Sequence, residues 1–231
     1  MRSPLPSLFL FFLCFAHGTT DSHHHDGCCA KRCRHGPEVR FPFWLKNRQS
    51  PECGYRDFNL SCDRDGQTKL SVPNTPQGLV VENIDYHSQF VILQDPTKCL
   101  PFWIPNLSLL GFSAYKEPSS YQDPYNYTLF KCPSPERTEM TELACRSEPG
   151  SYKVYAVDSS TYVGEWPLVY CERNGSLDWL PNPISSMIAK ARFDWKEPDC
   201  SECTKDRLCR RNGSNIECIP RPHGHPGIVL I

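Results

Sequence analysis

Cysteine constrains this chain more than any other residue type. There are 14 cysteines in 231 residues, and what they do depends on the compartment in which the chain folds. The N-terminus answers that. Arg2 is a short basic region, Leu5 to Ala16 (LPSLFLFFLCFA) is an apolar run, and Ala16-His17-Gly18 places small residues before a cut near Gly18/Thr19. This is the layout of a secretory signal peptide over residues 1–18. The run is shorter than the roughly 20 apolar residues that a transmembrane helix needs. Cys14 falls inside the leader. The rest, at 28, 29, 33, 53, 62, 99, 132, 145, 171, 200, 203, 209 and 218, read as a disulfide framework. Their number is odd. The doublet is the natural place for the leftover, so Cys28 is assigned to the framework and Cys29 is expected to be the spare thiol. Sequence does not choose the connectivity.

One stretch admits a second reading. Cys200, Cys203, Cys209 and Cys218 have spacings that could surround a zinc ion. Behind a signal peptide, disulfides are preferred. Five N-x-S/T sequons, at Asn59, Asn106, Asn126, Asn174 and Asn212, point to a glycosylated extracellular chain.

The 22 prolines and the lack of long apolar helical periodicity disfavour a helix bundle. The expected fold is mainly β and disulfide-rich: short antiparallel strands, Pro/Gly-rich turns and a small cysteine-rich C-terminal module. Strands are expected at Val39–Trp44, Lys69–Val72, Leu79–Ile84, Phe90–Leu93, Leu109–Phe112, Tyr127–Phe130, Tyr152–Val157 and Leu168–Cys171. The stretch Asp63 to Gly66 reads as a turn. Ile184–Ala191 is the single helix candidate. Residues 19–27 form a polar flank. Its His23, His24 and His25 fit a solvated tail better than a metal site. The last five residues, Gly227 to Ile231, are too few to cross a bilayer.

Cys33-Arg34-His35-Gly36-Pro37-Glu38-Val39-Arg40-Phe41-Pro42-Phe43, then Cys53-Gly54-Tyr55, then Leu60-Ser61-Cys62, resemble the galacturonan-binding domain of plant wall-associated receptor kinases. The resemblance covers about residues 28–130. Residues 131–220 are expected to form a cysteine-rich domain, with 221–231 as a tail. Phe193-Asp194-Trp195 followed by Cys200-x-x-Cys203, Cys209 and Cys218 resembles the companion wall-associated C-terminal domain. It departs from that pattern at Arg207-Leu208, where Gly-Gly is usual, and in having one cysteine in the closing pair. Such paired domains occur in receptor kinases of the leaf-rust-resistance type and in ATL-type RING-H2 ubiquitin ligases. The resemblance implies an extracellular module that binds pectic galacturonan of the cell wall. Two alternatives stand beside it. One is the ectodomain part of a membrane-anchored RING-type ligase or receptor kinase, tethered if a longer form exists. The other is a secreted protein–protein recognition module.

The charge pattern adds a candidate site. From Lys31 to Arg48 there are six Lys or Arg residues against one acid, Glu38, in a chain of net charge −1. Galacturonan carries a carboxylate on most of its sugars, and a guanidinium holds a carboxylate through paired charge-assisted hydrogen bonds. The candidate binding residues are Arg34, Arg40, Trp44, Lys46 and Arg48. In the expected strand Val39–Trp44, Arg40 and Trp44 share a face, a cation beside a sugar-stacking ring. Phe41 and Phe43 would point into the core. A second basic group lies at Arg207, Arg210 and Arg211. The balanced total charge gives no reason to expect nucleic acid. No G-x-S-x-G, H-E-x-x-H or phosphate-cradling glycine loop is present, so neither catalysis nor a cofactor is expected.

Overall fold

The computed structural model describes residues 28–75, 77–115, 125–133, 140–160, 168, 170–180, 184–203, 207–213 and 215–220. The leader, the histidine run and the C-terminal tail lie outside them.

The chain is mainly β. A small hairpin of β1 (Lys31–Arg32) and β2 (Glu38–Val39) precedes β3 (Trp44–Leu45), β4 (Asn59–Cys62), β5 (Thr68–Leu70), β6 (Leu79–Asp85) and β7 (Phe90–Gln94). A helix, α1 (Leu100–Leu109), leads to β8 (Phe112–Ala114). Then come β9 (Tyr125–Pro133), β10 (Thr141–Glu142), β11 (Tyr152–Asp158) and β12 (Glu172–Leu180). A four-residue helix, α2 (Ile184–Met187), β13 (Lys190–Trp195) and the hairpin β14 (Arg207–Asn212)/β15 (Asn215–Pro220) follow.

These strands form two main sheets. The larger has the order β3-β4-β5-β6-β7-β13-β8 and the smaller β10-β11-β9-β12. All pairings are antiparallel except β3 with β4. The larger sheet is non-local: β13 inserts between β7 and β8 after the chain has built the smaller one. Its core is aromatic. Phe43 lies against Trp195 and Phe58 at centroid distances of 5.1 and 5.0 Å. Phe58 in turn lies 5.0 Å from Phe112. The expected boundary at residues 130 and 131 falls inside β9, whose pairing with β11 runs unbroken from Tyr127 to Pro133.

Several elements differ from the sequence reading. The expected strand Val39–Trp44 is broken: Val39 ends β2, residues 40–43 form a turn in which the Phe43 N–H donates to the Arg40 carbonyl at 2.9 Å, and Trp44 opens β3. Leu109–Phe112 is the end of α1 and the start of β8. Proline at 101 and 105 hides this helix from pattern reading, since an interior proline removes a helical hydrogen bond. Tertiary contacts override that cost. Leu100 and Leu107 are fully buried, and the Trp103 indole N–H donates to Asp95 Oδ2 at 2.8 Å. The expected strand at 168–171 contains a turn, with the Cys171 N–H bonded to the Leu168 carbonyl; the strand starts at Glu172. The expected helix 184–191 stops at Met187, because Lys190 onward is taken up by β7.

Among the described residues six bridges tie the chain: Cys28–Cys53, Cys33–Cys62, Cys99–Cys145, Cys132–Cys171, Cys200–Cys209 and Cys203–Cys218. Cys29 is not the spare thiol that counting suggested. It too is disulfide-bonded.

Candidate functional site

Two glycines explain why the first module's motif folds as it does. A Cβ on Gly54 would sit 2.5 Å from the Pro42 carbonyl oxygen and 2.7 Å from Trp44 Cδ1. The Cys-Gly-Tyr turn therefore presses its bare backbone onto the Arg-Phe-Pro-Phe turn, and the Tyr55 N–H donates to the Pro42 carbonyl at 2.9 Å. A Cβ on Gly36 would meet Thr68 Oγ1 at 1.9 Å, which fixes the hairpin β1/β2 against β5.

This packing decides what the candidate residues can do. Trp44 does not serve as a sugar platform. It is only 8% exposed, and its indole N–H donates to the Tyr55 carbonyl at 2.9 Å. The alternation that placed it beside Arg40 fails because 40–43 is a turn with both sides covered; Phe41 and Phe43 are both buried. Arg34, Lys46 and Arg48 are exposed, and Arg48 Nη1 donates to the Arg32 carbonyl at 2.8 Å. Of the five candidates, Arg40 alone lines a cleft with a volume of about 390 Å³.

Three segments build that cleft. Arg40 comes from the turn before β3. Asn83 to His87 come from the end of β6 and its turn. Cys200, Cys203, Arg207 and Cys209 come from the C-terminal cystine module. Tyr86 organises the first two. Its ring lies 4.0 Å under the Arg40 guanidinium. Its hydroxyl accepts from the Arg40 N–H at 3.0 Å and donates to the Glu38 carbonyl at 2.9 Å. Burial pushes that hydroxyl well above the ordinary phenol range, so it remains a donor. The Glu38 carboxylate stands 3.5 Å from Arg40 Nε. The Asp85 carboxylate is occupied by its own turn, accepting from the His87 and Ser88 N–H groups at 3.0 and 2.8 Å.

Gln89 fixes the third segment. This buried side chain donates to the carbonyls of Trp195 and Pro198 at 3.1 and 3.3 Å and accepts from the Cys200 N–H at 2.6 Å. Phe41 packs among Cys200, Cys203 and Cys209. Sequence reading missed Tyr86, His87 and Gln89, because each is 40 or more residues away in sequence from one of the segments it meets. It did single out Arg207, as part of a second basic group. Arg210 pairs with Glu217, and Arg211 lies 5.9 Å from the Tyr55 ring. The four sulfurs that admitted a zinc reading are consumed by two disulfides and offer no thiolate. Of the sequon asparagines, Asn126, Asn174 and Asn212 are exposed, while Asn59 and Asn106 are partly buried.

The first module is thus a cystine-stapled β unit that shares a cleft bearing Arg40 and Arg207 with the C-terminal hairpin. Residues 29–95 match the family "wall-associated receptor kinase galacturonan-binding". The chain is 32% identical to the RING-H2 finger protein ATL21A of Arabidopsis thaliana, across 92% of this chain and 59% of that one. It is 28% identical to RING-H2 finger protein ATL22 of the same plant, across 92% and 57%. An 85-residue stretch is 34% identical to the leaf rust 10 disease-resistance locus receptor-like protein kinase-like 1.2, 36% of this chain and 13% of the kinase. The chain thus spans less than two thirds of the RING-H2 relatives it matches. No solved structure matches it.

Proposed function

We propose that this chain binds acidic cell-wall polysaccharide, pectic galacturonan, outside the cell, through the cleft that contains Arg40. One observation carries the reading. Within the segment that matches a galacturonan-binding family, the arginine of the Arg-Phe-Pro-Phe motif is braced by Tyr86 at the wall of a cleft large enough for a sugar. A braced guanidinium loses less rotamer freedom when it grips a carboxylate. Arg34, Lys46 and Arg48 add exposed positive charge elsewhere on the same module. Contacts of this kind are individually weak and recur along a polyuronate, so affinity accumulates over several sugars.

The test is binding of the oxidised, secreted chain to galacturonan in two forms. De-esterified polymer should bind, methyl-esterified polymer should bind at least tenfold more weakly by loss of charge-assisted contacts worth about 1.5–3 kcal/mol, and both signals should fall as salt rises. Equal binding of the two forms would end the reading.

A second reading concerns the whole protein. The match to two RING-H2 proteins along nearly all of this chain favours its being the ligand-binding part of that architecture. Ubiquitin transfer would then belong to a RING segment encoded after Ile231. The transcript sequence beyond that codon decides it.

A further inference from the structure

We infer that the anion site is bipartite: Arg207 of the C-terminal hairpin supplies a second guanidinium to the ligand that Arg40 holds. The site then selects a chain with carboxylates on neighbouring sugars over a single uronate. The inference rests on the polysaccharide reading above and adds to it a second module, a second residue and a minimum ligand.

The cleft is the first ground. Arg40 and Arg207 line the same cavity of about 390 Å³, from positions 167 residues apart in the chain (207 − 40). No acidic side chain among the described residues forms an ion pair with Arg207, whereas Glu38 stands beside Arg40. Two guanidiniums facing one cleft repel each other, and a ligand with two carboxylates relieves that repulsion at both ends.

The second ground is rigidity. The hairpin is not a loosely tethered tail. Gln89 fastens Cys200 to the turn after β6, the two bridges fasten Cys200 and Cys203 to β14 and β15, and Phe41 is buried among three of those cysteines. The residue next to Arg40 is thus a packing peg for the module that bears Arg207. The family match ends at residue 95, so half of this site comes from outside it.

The experiment uses the full oxidised chain with galacturonate and trigalacturonate, measured by calorimetry. Wild type should prefer trigalacturonate. Arg207→Gln and Arg40→Gln should each weaken trigalacturonate about tenfold or more, and Arg211→Gln, on the same hairpin but outside the cleft, should leave it unchanged. Arg207→Lys retains charge without the planar fork and should fall between. Thermal unfolding should be unaltered by either change at 207, an exposed position. If Arg207→Gln binds trigalacturonate as wild type does while Arg40→Gln does not, the site is not bipartite and the polysaccharide reading stands. If wild type does not bind trigalacturonate at all, both fall together.

Discussion

The two sheets solve the same problem by different means. The smaller sheet is local: β9, β10 and β11 lie within 34 residues (125 to 158), and β9 pairs with β11 at seven consecutive positions. Both of its faces are covered, one by Leu129, Val154 and Ala156, the other by Tyr155 and Val157. The larger sheet is assembled from distant pieces. Trp195 reaches back to Phe43 and Phe58, and β13 enters between strands laid down long before it. The cleft belongs to the second kind of construction. A site whose walls come from residues 40, 83–87 and 200–209 exists only when the non-local sheet is complete. The smaller sheet lines no part of it. Local register stabilises at little cost in loop entropy, whereas convergent chemistry needs long-range closure.

The largest expected effect breaks the non-local half. Trp195→Ala removes a fully buried indole from the aromatic core, a change that typically costs about 3–5 kcal/mol. Trigalacturonate binding should be lost. Hydrogen exchange should still show protected amides in β9 and β11, where pairing is local. Equal loss of protection in both sheets would show that they unfold as one unit, a coupling that α1 could transmit, since Ile104 packs against both cores.

A smaller effect is expected at the peg between the modules. Gln89→Leu retains volume and strands the Cys200 N–H and the Trp195 and Pro198 carbonyls, at about 1–3 kcal/mol for each buried group left unsatisfied. The hairpin should become sensitive to protease near Cys200 while the smaller sheet stays resistant. Unchanged proteolysis would mean that the bridges and Phe41 hold the hairpin without Gln89.

The smallest effect concerns pH. The Tyr86 hydroxyl keeps its proton in the folded chain beyond its ordinary value of 10.0, mainly through burial. Above pH 10.0 the unfolded chain releases that proton and the folded chain does not. Stability is therefore intact below that pH and falls as pH rises past it. In denaturant titrations Tyr86→Phe should lose this group's part of the alkaline decline. Tyr127, in the smaller sheet, is raised in the same direction by burial, so the decline should be reduced rather than abolished. A variant whose stability falls as steeply as wild type would place the alkaline sensitivity elsewhere.

Much of the fold was legible in the residues. The apolar, β-branched and aromatic runs within 79–85 and 152–158 mark strands, and their buried residues meet the cores. Cysteine usage marked a disulfide-stapled chain, and the order Arg-Phe-Pro-Phe, Cys-Gly-Tyr, Leu-Ser-Cys marked the segment that the family matches. These are short-range or compositional signals, fixed by chemistry within a few residues. α1 was illegible because its prolines argue against a helix locally, and only burial of Leu100 and Leu107 outweighs them. Trp44 was misplaced because the strand rule does not apply to a turn covered on both sides.

Residue types and their order were enough to define the class of chain, its cationic motif and the side chains from which a site could be made. It took the folded chain to show that Arg40 faces a cleft and Trp44 does not, that Tyr86 braces the arginine, and that Arg207 lines the same cleft. The physical reason is sequence distance. Hydrogen bonding and side-chain alternation act between near neighbours, whereas the cleft depends on Gln89 meeting Cys200 across 111 positions, a contact that no local pattern encodes.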